Sequence, residues 1–226
     1  MRRIFGLVAP CAVAAGTPSC DAHRATTKVA CVGDSITQFS GWCEDLGTRL
    51  GAGYTTKNFG VSGTTLLKAG DSSYWTSAQF APSHEFAPDI LVIMLGTNDS
   101  KPQNWTPANA DRFAADYEEL IDSYAKLASR PRIWVVLPPP AGPNVYAISG
   151  DVIEHEELPR IRQVASAKGA GVIDVFGAFG GRHFDAMLFD ATDLVHPNAR
   201  GARVIADAVY AALTPRGVAA EAGGSP

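Results

Sequence analysis

The sequence predicts an α/β fold in which a parallel β-sheet is covered by helices on both faces, and three observations predict it. Residues 28–32, 90–95 and 133–137 are short apolar runs without the in–out alternation of a half-exposed strand, as strands buried on both faces are. Helical patterns lie between and after them, and the spacing of strand and helix is that of crossover units. Two of these runs end in polar, glycine-containing stretches, Gly33-Asp34-Ser35 and Gly96-Thr97-Asn98-Asp99. Right-handed crossovers place the C-terminal ends of all such strands on one rim, where open α/β sheets bind their ligands.

In order, residues 28–32 form the first strand, and Gly33 permits the sharp turn that presents Ser35 at the sheet edge. Trp42, Leu46 and Leu50 recur at a four-residue step, predicting a helix that Gly51 and Gly53 end. Residues 54–59 read as a second strand, leading into Val61-Ser62-Gly63, and a polar loop carrying Tyr74, Trp75 and Phe80 follows. Residues 90–95, the most apolar run after the N-terminal segment, are the third strand. Thr106-Pro107 supplies an N-cap and first-turn proline, and Phe113, Tyr117, Leu120, Tyr124 and Leu127 form one core-facing stripe. A fourth strand at 133–137, a loop with four prolines at 138–150, a helix at 158–168, a fifth strand at 171–175 and a last helix at 197–213 complete the domain.

Residues 1–20 read as a secretory signal: Arg2-Arg3, an apolar run from Ile4 to about Gly16, then small residues. That run is too short to span a bilayer, which takes about 20 residues. Cys20 suggests a lipoprotein-type signal with a lipid anchor, whereas Thr17, Pro18 and Ser19 before it depart from the usual Leu-Ala-Gly pattern, so lipidation and simple cleavage both stay open. Residues 21–27 are then a short linker, 28–215 one domain and 216–226 a frayed tail. The expected location is the cell envelope or the medium. A net charge of −4 and a pI near 5.7, with no cluster of Lys and Arg, argue against nucleic acid. Four cysteines are too few for a disulfide scaffold, and Cys31 and Cys43 read as small buried hydrophobes. Glu154, Glu156 and Glu157 read as a solvated helix start, Met94 and Met187 as core fillers, and His84 and His155 as surface residues. No Cys or His pair has metal-ligand spacing.

Four polar stretches should meet on the rim: Gly33-Asp34-Ser35, Val61-Ser62-Gly63, Gly96-Thr97-Asn98-Asp99 and Asp193-Leu194-Val195-His196. A serine needs a base to attack at neutral pH, and His196 can serve. Asp193, three residues earlier, can orient the imidazole and stabilise its charged form. The backbone N–H groups of Ser35 and Gly63 and the side-chain amide of Asn98 are candidate donors to a developing oxyanion. Asp34 is expected to cap its turn, and Asp99 to hold the Asn98 loop. His183 is a weaker rival to His196, with no acid at comparable spacing.

These four blocks, in order across roughly residues 28 to 213, resemble those of the SGNH, or GDSL-type, hydrolases. That family takes its name from Ser, Gly, Asn and His, here Ser35, Gly63, Asn98 and His196. Ile36 stands where the family's GDSL name has leucine, and Ala191-Thr192 precede Asp193 where an aromatic or proline is common. The resemblance implies a three-layer flavodoxin-like fold, sheet order 2-1-3-4-5, and serine hydrolysis with no metal or cofactor. Gly-Asp-Ser-Ile-Thr and the stretch at 94–105 look most like bacterial enzymes that remove O-acetyl groups from sugars. Trp42, Trp75 and Trp105, with Tyr74, lie in or beside rim loops where their faces could stack on a pyranose, or else pack the loops. The expected substrate is a short-chain ester on a small molecule or polysaccharide. The alternatives are a lysophospholipase or thioesterase, which needs a long apolar groove, and a sugar-binding domain without catalysis, which needs no Ser35, Asp193 and His196 together.

Overall fold

A computed structural model describes residues 26–214. The signal segment, Cys20, most of the linker and the tail fall outside that range. Five strands form one parallel sheet in the order β2-β1-β3-β4-β5: β1 (Thr27–Gly33), β2 (Tyr54–Gly60), β3 (Ile90–Met94), β4 (Arg132–Leu137) and β5 (Gly171–Asp174). This is the sheet order expected from the sequence. All five residues of central β3 are buried. Edge strand β2 alternates and exposes Thr55 and Lys57, and β5, on the other edge, has only four residues; charge and shortness both discourage edge-to-edge pairing.

The alternation of side chains across the sheet sorts the core into two layers. Ala30, Val32, Leu91, Ile93, Val135 and Leu137 point to the face covered by α3 (Phe80–Glu85), α4 (Pro107–Ala125) and the helical run described next. That run starts with the short turn α5 (Gly150–Val152), passes through a π-helical turn, Ile153–Glu157, and continues as α6 (Leu158–Lys168). Val29, Cys31, Val92, Met94, Val136 and Ile173 face α2 (Trp42–Leu50), α7 (Val175–Ala178) and α8 (Ala199–Leu213). Thr106 caps α4 by accepting from the Asn109 N–H, with Pro107 in the first turn. The last helix begins two residues later than the sequence suggests, because the Asn198 side chain caps α8 by accepting from Arg200 and Gly201. No helix among the described residues is long and apolar enough to cross a membrane.

Several local expectations are corrected. Cys31 in β1 and Cys43 in α2 are buried as foreseen but joined in a disulfide; a strand-and-helix reading gives no information on the 6.3 Å Cα separation that allows it. Glu157 is fully buried, on the stripe that Ile153, Leu158 and Ile161 share. Met187 is exposed on a 3₁₀ turn. His84 is half-buried, stacked on Tyr124 at 3.9 Å and hydrogen-bonded to Ser123. His155 and His183 are exposed, and Met94 is in the core.

Candidate active site

The strand register brings the ends of β1, β2 and β3 level: Gly33 pairs with both Gly60 and Met94. Directly after Gly33 the chain turns into α1 (Ser35–Phe39), capped by the Asp34 carboxylate, which accepts from the Ile36 N–H at 2.9 Å. The turn is tight. A Cβ at Gly33 would fall 2.0 Å from Thr37 Oγ1 and 2.7 Å from the Met94 carbonyl, so no larger residue fits where the strand hands over to the helix.

The loop before α8 brings the far end of the chain to the same point. Leu194 adopts a positive φ of 54°, a strained conformation for a non-glycine residue and one that clusters at functional sites. It folds Asp193 and His196 together. Asp193 Oδ1 accepts from the Val195 and His196 N–H groups at 2.9 Å, and Asp193 Oδ2 lies 2.7 Å from His196 Nδ1. His196 Nε2 is 2.9 Å from Ser35 Oγ, joining residues 161 positions apart. Partial burial would raise the Asp193 carboxyl, but these N–H groups and the imidazole outweigh it and hold it below the ordinary carboxylate range. A charged Asp193 fixes the tautomer with the proton on Nδ1, leaving Nε2 to accept from Ser35.

The other two blocks close in from the opposite side. Gly63 has φ +78°, a backbone that only glycine adopts without strain. Asn98 donates one amide N–H to the Thr64 carbonyl at 3.1 Å, which orients the side chain and leaves its second N–H available. Asn104 ties down the Asn98 carbonyl, and Asp99 accepts from the Leu66 and Leu67 N–H groups, binding this loop to the one that carries Gly63. Ser35, Gly63 and Asn98 together line a cavity of about 110 Å³ with Thr97, Lys101 and Ile148. A second, larger cavity of about 470 Å³, also bordered by Ser35, is walled by Ile36, Phe39, Ser40, Asp190 and Asn198. Tyr146, Ser62 and His196 border both.

The aromatic candidates go elsewhere. Trp42 is fully buried in α2, and Tyr74 is buried with its hydroxyl donating to the Phe59 carbonyl. Trp75 donates to the Leu66 carbonyl and packs on Phe80 beneath Lys68; Trp105 donates to Glu156 and packs edge-on against Phe113. Neither lines a cavity beside Ser35. These tryptophans carry large apolar faces that the core and loop bases bury first. The aromatic residues beside Ser35 are Phe39 and Tyr146, which sequence reasoning missed. Phe39 lies at the end of α1, away from buried Ile36, and Tyr146 sits in the proline-rich loop, its ring edge-on to His196 at 5.6 Å. An exposed Val145-Tyr146 pair amid prolines is the signal that could have marked the second.

The fold is a three-layer α/β sandwich whose rim holds a serine, a histidine and an aspartate in one hydrogen-bonded line. The chain belongs to the GDSL-like lipase/acylhydrolase family, whose sequence model matches residues 31–204. It is 34% identical over 215 residues to an acetylxylan esterase of Xylanibacter ruminicola, covering 82% of this chain and 43% of that protein. The chain therefore spans less than half the length of this relative. Among solved structures, an α/β hydrolase enzyme from the metagenome of Lake Arreo is 27% identical, with a TM-score of 0.59 over 82% of this chain and 94% of that one. A carbohydrate acetylesterase family member from Sinorhizobium meliloti shares the fold at 23% identity, with a TM-score of 0.64 over 84% and 98% of the two chains.

Proposed function

We propose that the protein is a serine esterase that removes short acyl groups, chiefly O-acetyl groups of carbohydrates, through an acyl-Ser35 intermediate. The observation that carries this reading is the hydrogen-bonded line from Ser35 Oγ to His196 to Asp193, ending beside a small cavity bordered by Gly63 and Asn98. Ser35 Oγ attacks the ester carbonyl carbon while its proton passes to His196 Nε2. The carbonyl electrons move onto oxygen, where the Asn98 amide and the N–H groups of Gly63 and Ser35 receive the charge. Collapse expels the alcohol oxygen, which takes the proton back from His196. Water then repeats the sequence on the acyl-enzyme and releases the acid.

The size of the cavities assigns the two halves of the ester. The smaller cavity, about 110 Å³ and bordered by Gly63 and Asn98, takes the acyl group, which favours short chains. The alcohol takes the larger one, of about 470 Å³. Supporting the carbohydrate is the 34% identity to an acetylxylan esterase. A lysophospholipase or thioesterase would need a long acyl groove beside Ser35, whereas the cavity bordered by Gly63 and Asn98 is the smaller of the two. The test is a rate series on p-nitrophenyl esters from acetyl to octanoyl, together with acetate release from acetylated xylan. Steeply falling kcat/KM beyond butyryl, with acetate released, is the expected result; a maximum at octanoyl would replace the reading with a lipase.

We further propose that the protein works outside the cytoplasm. The basic and apolar start of the chain supports export, as does the Cys31–Cys43 disulfide, a bond that persists in oxidising compartments. Cell fractionation and the mass of the mature N-terminus, with or without lipid on Cys20, would decide both location and anchoring.

A further inference from the structure

We infer that Phe39 and Tyr146 form a pyranose-binding subsite on the alcohol side of Ser35, and that they set which alcohol is accepted. The inference rests on the esterase reading above for the side of the ester it concerns. Among the described residues the exposed large hydrophobic ones are few: Phe39 at 67%, Val145 at 85%, Tyr146 at 45%, Met187 at 63% and Tyr210 at 37% of their surface. Phe39 and Tyr146 both wall the larger cavity, and Val145 adjoins Tyr146 in the chain. Two of these exposed rings thus border one cavity beside Ser35, as exposed apolar surface at a binding site does.

The loop under Tyr146 is built to display it. Asn144 donates its amide to the Gly142 and Ile148 carbonyls, and its side-chain oxygen accepts from the Tyr146 and Ile148 N–H groups. The Gly142 N–H bonds to the Leu194 carbonyl beside His196, and the Ser149 N–H to Ser100 beyond Asn98. Ala147 takes a positive φ of 59°, strain that these bonds sustain. A ring held half-exposed on so fixed a backbone loses little entropy when a ligand docks.

The chemistry of the wall selects the ligand class. Phe39 and Tyr146 offer apolar ring faces, suited to the C–H surface of a pyranose, while Ser40, Ser62 and Asp190 offer polar groups to its hydroxyls. Asp190 uses Oδ1 for the Thr192 N–H and hydroxyl, and its other carboxylate oxygen takes no bond from the described residues. A fatty alcohol would leave these polar groups unmatched.

The experiment compares two acetyl esters with one acyl group: ethyl acetate, which has no ring for Phe39 to stack on, and an acetylated methyl β-xylopyranoside. Phe39→Ala should lower kcat/KM about ten-fold on the sugar ester, mainly through KM, and change ethyl acetate by less than two-fold. Tyr146→Phe should keep both rates and Tyr146→Ala should lose the sugar ester. Binding of the xylopyranoside to Ser35→Ala, by calorimetry, reads the subsite without turnover: adding Phe39→Ala should raise Kd about ten-fold. If that Kd does not move, or if both esters lose equally in Phe39→Ala, the subsite is overturned. Weakened sugar binding without hydrolysis in the parent protein would leave the subsite standing and remove the esterase reading. Tighter binding of lysophosphatidylcholine than of the sugar would make the alcohol side a lipid site and overturn the inference.

Discussion

The carboxyl of Glu157 lies against the Cα of Gly96: a Cβ at that glycine would come within 2.9 Å of Glu157 Oε2. Neither oxygen of Glu157 has a hydrogen-bond partner among the described residues. Burial pushes this carboxyl well above the ordinary range, and the charges of Asp99 and Asp34 push it further. Desolvation likewise raises Asp34 to about 6 and Asp99 to about 7, against backbone N–H groups that favour the charged forms. Three carboxyls therefore sit beneath the loops that hold Ser35 and Asn98, with Glu157 kept as the neutral acid.

The sign of the resulting pH dependence is fixed. A carboxyl whose folded pKa is raised binds more protons in the native than in the unfolded state. Its contribution is fully present below the unfolded value of about 4 and is lost as pH rises through the raised one. Thermal stability should thus fall as pH rises from about 4 through the values of about 6 and about 7 at Asp34 and Asp99, and Glu157→Gln, neutral at every pH, should flatten the part of the fall that Glu157 contributes. Differential scanning calorimetry across this range checks it. An unchanged slope in the Gln variant would place the proton on another group.

Ser35→Ala and His196→Ala should each lower kcat by roughly 10⁴–10⁶-fold, since groups acting as a unit fail together. Asp193→Asn should cost a comparable or smaller factor, up to ~10⁴, by favouring the wrong tautomer. Tm should change little in Ser35→Ala, because its hydroxyl meets His196 at the rim rather than the core. If His183→Ala were the inactive variant instead, the assignment of His196 would fail.

How much was legible follows physical lines. The strands and the long helices were, because β3 and α4 carry unbroken apolar runs or stripes whose period is dictated by burial. The convergence of Ser35, Gly63, Asn98, Asp193 and His196 was legible too, since strand-end motifs in a parallel sheet share one rim. What escaped were properties of packing at a distance. Trp42 and Trp75 look like rim aromatics in one dimension, but whether a tryptophan faces solvent depends on elements far away in sequence. Glu157 shows the reverse: its spacing from Ile153 and Ile161 puts it on the buried face, a periodicity that its charge concealed. Phe39 shares its short helix with Ser35 and is legible only once Ile36 is known to face inward.

Asn98→Ala should lower kcat by about 10²–10³ and leave KM nearly unchanged, since its free N–H meets charge that exists only in the transition state. The loss of the Thr64 contact is a separate structural effect, so Asn98→Asp, which keeps size, is the second variant. Steady-state kinetics on p-nitrophenyl acetate read both. A raised KM with kcat preserved would make Asn98 a ground-state binding residue.

The disulfide brackets the Ser35 turn: Cys31 precedes Gly33 by two residues, and Cys43 lies in the first turn of α2. Both side chains are buried, so the thiols would stay packed after reduction and the folded shape should persist. What reduction removes is the restraint on the unfolded chain, which for a loop near this separation of 12 residues amounts to about 3 kcal/mol. The paired Cys31→Ala and Cys43→Ala variant should therefore lose Tm, with kcat for acetyl esters kept within about two-fold at temperatures well below the transition. Urea unfolding with and without dithiothreitol measures the stability, and matched turnover measures the site. A large loss of kcat at full folding would show that the bond positions Ser35 directly, beyond stabilising the domain around it.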